Sequence, residues 1–266
     1  METAKVVDGA PLAVRDLGKL DGGRVFVIWP SIFSTAAAFH ELANRLAAHG
    51  RVFAIDPPGH GQSPLLSEMT MQNCATATLR TLDLLGVRNF VWIGTSWGGL
   101  VGIETARLAP ERFEKLICLN TPVSFEGQTL SSRFIMTMAL LAGPTRFFAK
   151  RVAETFFLPK TRRSVLRRQA MDAFGRGLAN NSRRELFGAA NLVFKTRTDS
   201  WSALASVDVD TTLVAGEFDG MYAAAQQQQK SEGIDHLTFC TLPTAHISAV
   251  DEPDMTTKII LEILKE

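Results

Sequence analysis

A serine between two glycines is the feature of the chain with the clearest chemical meaning. The stretch "VWIGTSWGGL" spans residues 91–100, and it places Ser96 in a G-x-S-x-G pattern where an apolar run ends and a helical pattern begins. Serine is a weak nucleophile at neutral pH, so it needs a general base, an acid that orients the base, and donors for the oxyanion. We therefore ask whether the rest of the chain supplies these partners, because a serine in a tight turn is the alternative.

One of the five histidines occupies the position expected of a base. Sites in open parallel sheets form beyond the carboxyl ends of the strands. His246 follows the last apolar run of the chain by four residues, whereas His236 precedes that run. His40 and His49 lie on the first predicted helix, and His60 lies in a turn-rich loop. The sequence therefore predicts His246 as the general base.

The acid that orients this histidine should also follow a strand. Asp219 does so, three residues after the apolar run 211–216. Glu217 is the nearest rival, and Asp251 lies five residues beyond His246. We predict Asp219 as the acid, which gives the chain order serine, aspartate, histidine.

Short apolar runs rich in β-branched residues alternate with helical patterns, which predicts a mostly parallel sheet with helices on both faces. The predicted strands are 24–29, 51–56, 89–94, 115–120, 211–216 and 237–242. The predicted helices are 35–49, 70–86, 97–109, roughly 221–232 and 252–265. The N-terminal stretch "VVDGAPLAVRDLG" predicts a hairpin that turns at Asp8-Gly9 and adds antiparallel edge strands.

The alternation stops between about residues 122 and 206, where Phe- and Arg-rich helical segments replace it. We interpret 122–206 as an inserted helical cap, and 1–121 with 207–266 as the core domain. The cap segment has a net charge of +9 and the remainder −8, although the whole chain carries only +1. The basic balance indicates either a solvated face or attraction of an anionic substrate. No motif for binding nucleic acid accompanies it.

The composition is that of an ordinary globular protein, with 46% apolar and 21% charged residues. No apolar run reaches the roughly 18 residues of a membrane span, and the N-terminus has no apolar signal-peptide core. The three cysteines have no metal-like spacing. Their odd number fits a reducing compartment, so we predict a cytoplasmic protein with no membrane partner.

Four stretches together resemble the α/β-hydrolase family, and the resemblance covers essentially the whole chain. "GTSWGG" is similar to the nucleophile elbow of the family, "GEFD" to its acid turn and "AHISAVDEP" to its histidine loop. "DPPGHGQS" resembles the family's D-x-x-G-H-G-x-S loop, in which Asp56, His60 and Ser63 would be structural. The helical insertion lies where the family places its cap.

The loop after the first central strand departs from the family. Members usually carry His-Gly there, followed by the residue that gives the second oxyanion N–H, whereas this chain has Trp29-Pro30. Proline has no N–H to donate. By position Ser31 would supply the donor, paired with the N–H of Trp97, and the Ser31 hydroxyl or the Ile32 N–H are alternatives. The loop and the cap give three candidate substrate-binding residues: Trp29, Ile32 and Phe125.

The resemblance implies a serine hydrolase that acts on a carboxylic ester or lactone of an apolar small molecule, without a metal or organic cofactor. Thioesters and carbon–carbon bonds are alternative targets on the same fold, and a ligand receptor with slow turnover is an alternative outside catalysis. A dehalogenase is disfavoured because its nucleophile would be aspartate. The sequence does not define the oligomeric state.

Overall fold

The architecture was analysed in a computed structural model, which describes most of the chain. The described residues are 5–18, 23–123, 145–146, 150, 152–153, 156–161, 163–164, 168–173, 192 and 200–265. Most of the predicted cap, including Phe125, lies outside them. The cap boundaries at 122 and 206 therefore stay a prediction.

Eight strands form one sheet in the order β1-β2-β4-β3-β5-β6-β7-β8. The strands are β1 (Lys5–Val6), β2 (Ala13–Leu17), β3 (Val25–Trp29), β4 (Arg51–Ile55), β5 (Phe90–Thr95), β6 (Phe113–Leu119), β7 (Thr211–Gly216) and β8 (Leu237–Leu242). Strands β3 to β8 pair in parallel, and β2 runs antiparallel to both β1 and β4. All six predicted strands are present, with ends that match or differ by at most two residues, and the edge strand β8 is only partly buried.

The N-terminal hairpin is also present. Ala10 N–H donates a hydrogen bond of 2.8 Å to the carbonyl of Val7, so Asp8 and Gly9 are the central residues of the turn. Gly9 has a φ of +74°, a conformation that a residue with a Cβ adopts only with strain. The Asp8-Gly9 signal therefore predicted the turn correctly.

Helices cover the sheet in two groups. The described helices are α1 (His40–Leu46), α2 (Met71–Leu84), α3 (Trp97–Leu108), α4 (Ser200–Ala205), α5 (Ala224–Ser231), α6 (Ser248–Asp251) and α7 (Pro253–Ile263). Helix α1 contacts α6 and α7, whereas α3 contacts α2 and α4. The fold class is therefore the predicted one. The first predicted helix is divided in two by a 3₁₀ turn at Ala36–Phe39 before α1, and the short helix α6, which was not predicted, precedes the last one.

The core lies on the central strands, whose side chains are buried on both faces. Trp29 of β3 and Trp92 of β5 are fully buried, and each indole N–H has a partner. Trp29 Nε1 donates to the Thr78 hydroxyl (3.1 Å), and Trp92 Nε1 donates to the carbonyl of Gly98 (3.0 Å). Large aromatic side chains thus bind the sheet to α2 and α3. Within the described ranges, no helix is long and apolar enough to cross a membrane.

The three cysteines differ in burial, which predicts a difference in reactivity. Burial raises the pKa of both Cys74 and Cys118 to about 12, whereas Cys240 is only half-buried. At pH 8 a thiol with that pKa is thiolate to only about one part in 10⁴, and the thiolate is the reactive form. Titration of the native protein with a thiol reagent should therefore modify one cysteine rapidly. Cys240→Ser should abolish the rapid phase, and rapid modification of Cys74 or Cys118 would contradict the burial.

Candidate active site

The turn between β5 and α3 holds Ser96 in a strained backbone conformation. Its φ is +54° and its ψ is −114°, although it is not a glycine. Neighbouring backbone groups hold it there: Ser96 N–H donates to the carbonyl of Leu119 (2.8 Å), and its own carbonyl accepts from Gly99 N–H (3.0 Å). Non-glycine residues with such angles cluster at functional sites, where the surrounding structure over-determines them.

The two glycines that flank Ser96 are required by close backbone approach. A Cβ added at Gly94 would lie 2.3 Å from the carbonyl oxygen of Gly98, and one added at Gly98 would lie 2.1 Å from the carbonyl oxygen of Trp29. Strand β3, strand β5 and the first turn of α3 therefore meet without room for side chains. This explains in steric terms why the G-x-S-x-G spacing occurs at this junction.

The structure brings the predicted nucleophile, base and acid together. His246 Nε2 lies 3.0 Å from Ser96 Oγ, and His246 Nδ1 lies 2.8 Å from Asp219 Oδ2. A carboxylate only accepts, so Nδ1 carries the proton and Nε2 is free to accept one from the serine hydroxyl. The other carboxylate oxygen, Asp219 Oδ1, accepts from Met221 N–H at 2.8 Å. The three side chains follow β5, β7 and β8, at one edge of the parallel strands.

The rival residues have other partners. Glu217 lies in an exposed position, and its carboxylate accepts from the Thr241 hydroxyl (3.1 Å). Asp251 is buried, and it accepts from the backbone N–H of Ala245 (2.8 Å) rather than from an imidazole. His236 Nε2 lies 3.0 Å from the carbonyl of Leu204, away from Ser96.

An asparagine that the sequence analysis did not single out fixes the loop of His246. Asn120 follows β6 directly, is buried, and has a φ of +49°. Its Nδ2 donates to the carbonyl of Ala245 (3.0 Å), and its Oδ1 accepts from Ser248 N–H (3.3 Å). The amide therefore joins two points of the loop on either side of His246. The available signal was its position immediately after a central strand, combined with the tolerance of asparagine for the left-handed region.

The "DPPGHGQS" loop makes the kind of structural contacts that the resemblance implies. Asp56 Oδ1 accepts from Ala36 N–H (2.9 Å), and Oδ2 accepts from Gln62 N–H (3.0 Å). Burial raises the pKa of Asp56, and these two hydrogen bonds oppose that rise. Ser63 Oγ donates to the carbonyl of Asp56 and accepts from Ala13 N–H.

His60 supports the loop that follows β3. Its Nε2 accepts from Phe33 N–H (3.1 Å), so the proton is on Nδ1, which donates to the carbonyl of Pro58 (2.9 Å). Phe33 has a φ of +64°. A strained residue therefore turns the chain directly after Ile32, and a buried histidine holds that turn.

The three candidate residues of this loop are placed differently. Trp29 packs in the core, edge-on to Trp97 with ring centroids 4.7 Å apart. Ser31 is fully buried, and within the described residues its hydroxyl has no hydrogen-bond partner. Ile32 alone of the three lies at the cavity beside Ser96.

The cavity next to Ser96 is mainly apolar. The described residues that line it are Ile32, Ser96, Trp97, Leu100, Pro122, Phe156, Met221, Tyr222 and His246. Aromatic rings flank the imidazole, with the Phe156 centroid 5.0 Å and the Tyr222 centroid 5.9 Å from that of His246. None of the described lining residues is an aspartate, glutamate, lysine or arginine. The arrangement can hold an apolar group against the serine.

Comparison with known proteins agrees with this geometry. A sequence model of the alpha/beta hydrolase fold matches residues 24–253. The chain belongs to the α/β-hydrolase family.

Several relatives are named as hydrolases, and the match in Mycobacterium phage D29 is named a putative non-heme haloperoxidase. A pimeloyl-[acyl-carrier protein] methyl ester esterase from Pectobacterium atrosepticum is 25% identical over 85% of this chain and 88% of its own length. The 3-oxoadipate enol-lactonase 1 of Acinetobacter baylyi is 23% identical over 83% and 80%. Matches to proteins of Mycobacterium phage D29 and Pectobacterium carotovorum span only 45% and 35% of those relatives' lengths.

A solved hydrolase from Pseudomonas aeruginosa PA01 superimposes with a TM-score of 0.82 at 27% identity, covering 100% of this chain and 98% of that one. The predictions of the family and of a hydrolytic enzyme are thus confirmed.

The close approach at Gly98 predicts a steric cost for a single methyl group. Gly98→Ala should lower the free energy of unfolding by at least about 2 kcal/mol, because the carbonyl of Trp29 belongs to a central strand and cannot retreat. Gly9→Ala is the control, since its Cβ would meet nothing within 4 Å and only the strain at φ +74° of about 1 kcal/mol remains. Denaturant unfolding measures both, and a cost at Gly98 no larger than that at Gly9 would contradict the packing.

Proposed function

We propose that this protein is a serine hydrolase that cleaves a carboxylic ester or lactone bond through an acyl-enzyme. The observation that carries the proposal is the continuous hydrogen-bonded path from Ser96 Oγ to His246 (3.0 Å) and from His246 to Asp219 (2.8 Å). In such an arrangement the serine has a base within reach, and the base has an acid that fixes its tautomer.

In the first half of the reaction, His246 Nε2 takes the hydroxyl proton while Ser96 Oγ attacks the carbonyl carbon. The imidazolium then gives that proton to the departing alcohol oxygen, which leaves the acyl group on Ser96. In the second half, His246 takes a proton from water, the hydroxide attacks the acyl carbon, and the proton returns to Ser96 Oγ as the acid departs. Asp219 stabilises the charged imidazole throughout.

Two backbone N–H groups would hold the oxyanion. Trp97 is the first residue of α3, so its N–H is unpaired within the helix and lies beside Ser96. The loop after β3 would supply the second donor. The sequence predicts the Ser31 N–H, and the Ile32 N–H is the alternative because Ile32 lies at the cavity; the described residues provide a backbone acceptor for neither.

The apolar cavity supports a substrate whose acyl part is uncharged near the reacting carbonyl. Burial of that part against Ile32, Leu100 and Met221 would contribute about 25 cal/mol for each Å² removed from water. Relatives named as a methyl ester esterase and an enol-lactonase support the ester or lactone class. A short linear ester and a lactone of similar size are therefore the first substrates to compare.

The identity of the nucleophile predicts the outcome of a single substitution. Ser96→Ala should lower turnover of p-nitrophenyl esters and lactones by roughly three orders of magnitude or more while the protein stays folded, because the three groups act as a unit. A fluorophosphonate probe should label the wild-type protein at Ser96. Labelling at another residue, or full activity of the variant, would refute the assignment. A stoichiometric burst without steady turnover would instead indicate a ligand receptor.

The acid is tested by a matched pair of carboxylates from the same loop. Asp219→Asn should lower kcat strongly, by up to about 10⁴-fold, because the amide no longer selects the Nδ1–H tautomer of His246. Glu217→Gln should stay close to wild type, since Glu217 is exposed and faces Thr241. Steady-state kinetics of both variants decide the question, and the reverse order of effects would give the acid role to Glu217.

A further inference from the structure

Asp251 is a fully buried carboxylate that the proposed reaction does not use. Its Oδ2 accepts from the backbone N–H of Ala245 (2.8 Å), the residue before His246. Its Oδ1 accepts from Leu158 N–H (2.9 Å) and from the Thr161 hydroxyl (2.5 Å). One side chain therefore joins the histidine loop to residues 156–161, which we call the covering segment.

The covering segment reaches the active site through an aromatic ring. Phe156 is buried, lines the cavity, and packs on the imidazole of His246 with ring centroids 5.0 Å apart and planes inclined by 60°. The position of this ring depends on how the covering segment is held against the histidine loop. Within the described residues, Asp251 hydrogen-bonds to both pieces of chain.

The surroundings of Asp251 indicate that it does not serve mainly to stabilise the fold. Among the described residues, its three hydrogen-bond donors are neutral groups, and the neighbouring Glu252 carries a like charge. Burial raises the pKa of Asp251, and the hydrogen bonds from Thr161, Leu158 and Ala245 oppose that rise. A buried carboxylate to which the described part of the chain offers no counter-charge costs free energy, so general stability is a poor explanation for its presence.

We propose that Asp251 is a positioning residue, which clamps the covering segment onto the histidine loop and thereby holds Phe156 and His246 in the geometry for catalysis. This inference rests on the proposed function of Ser96 and His246. It assigns Asp251 a role different from that of Asp219, because Asp251 accepts from two backbone N–H groups and the Thr161 hydroxyl and not from the imidazole.

The decisive variant is Asp251→Asn, which keeps the shape but not the set of acceptors. An amide has one oxygen, so in either orientation its NH₂ group faces a backbone N–H, of Ala245 or of Leu158. We expect kcat/KM for the best ester to fall by about 10-fold or more, mainly through kcat, because small misplacements of catalytic groups are costly. The rate of Ser96 modification by a fluorophosphonate should fall in parallel.

Hydrogen exchange provides a readout that a merely structural role would not give. In Asp251→Asn, the amides of Leu158 and Ala245 should exchange faster, while those of β5 and β6 keep their wild-type protection. Phe156→Leu should lower kcat on its own, and the double variant should lose little more than Asp251→Asn, because both act through one contact.

Lys160→Ala is the matched control from the same segment. The Lys160 side chain is exposed and forms an ion pair with the mostly buried Glu252, next to the clamp but outside it. Because the Lys160 ammonium group remains in contact with water, we expect the pair to contribute about 0–1 kcal/mol and kcat/KM to stay within about twofold of wild type.

Two results would overturn the inference: Asp251→Asn with the activity of Lys160→Ala, or faster exchange that spreads equally to β5 and β6. Failure of the proposed function is distinguishable, because it would appear as turnover that persists in Ser96→Ala.

Discussion

The strained backbone of Ser96 is the constraint on which the rest of the site depends. An unconstrained serine would relax from a φ of +54° to a negative φ, and the neighbouring backbone prevents this relaxation. Strand β6 accepts the Ser96 N–H, and β3 approaches so closely that Gly98 has no room for a Cβ. The energy for this conformation comes from the burial of the parallel strands, so the fold itself holds the serine outward towards His246.

Buried hydrogen bonds to backbone groups hold the histidine in place from two directions. Asn120 binds Ala245 O and Ser248 N–H from the end of β6, and Asp251 binds Ala245 N–H from α6. Both peptide groups of Ala245 are therefore fixed by side chains. Such directional contacts define a loop more sharply than apolar packing does, because an unmade buried hydrogen bond costs about 1–3 kcal/mol. The distance between His246 Nε2 and Ser96 Oγ thus depends on Asn120 and Asp251, which contact neither of these two atoms.

The sequence was sufficient to predict the strands and to select the three side chains that we propose to react, because local rules determine both. Apolar runs of strand length gave the sheet, and the rule that polar residues after parallel strands share one edge placed Ser96, Asp219 and His246 together. Contacts between segments that are distant in the sequence could not be predicted in this way. In the sequence, Asn120 is only the last residue of a predicted strand, and Asp251 is only a rival acid. Their hydrogen-bond partners Ala245 and Leu158 lie 125 and 93 residues away along the chain.

The loop after β3 is a second case in which a contact between residues distant in sequence determines the conformation. Counting from the His-Gly pattern of the family predicts the Ser31 N–H as a donor, but it does not predict the turn at Phe33, which follows Ile32 at the cavity. That turn depends on His60, 27 residues away, whose Nε2 accepts the Phe33 N–H. A strained φ held by a distant side chain leaves no local pattern from which it could have been predicted.

The contact between Trp29 and Trp97 connects the loop after β3 to the turn that holds Ser96. Their rings meet edge to face at 4.7 Å, and the Trp29 indole is tied to α2 through Thr78. Such aromatic pairs contribute about 0.5–1.5 kcal/mol beyond the area that they bury. Trp97 also opens α3 and carries one of the proposed oxyanion donors, so its anchoring in the core limits the movement of that N–H. The aromatic residue that replaces the family's histidine is thereby linked, through one ring contact, to the backbone that would stabilise the transition state.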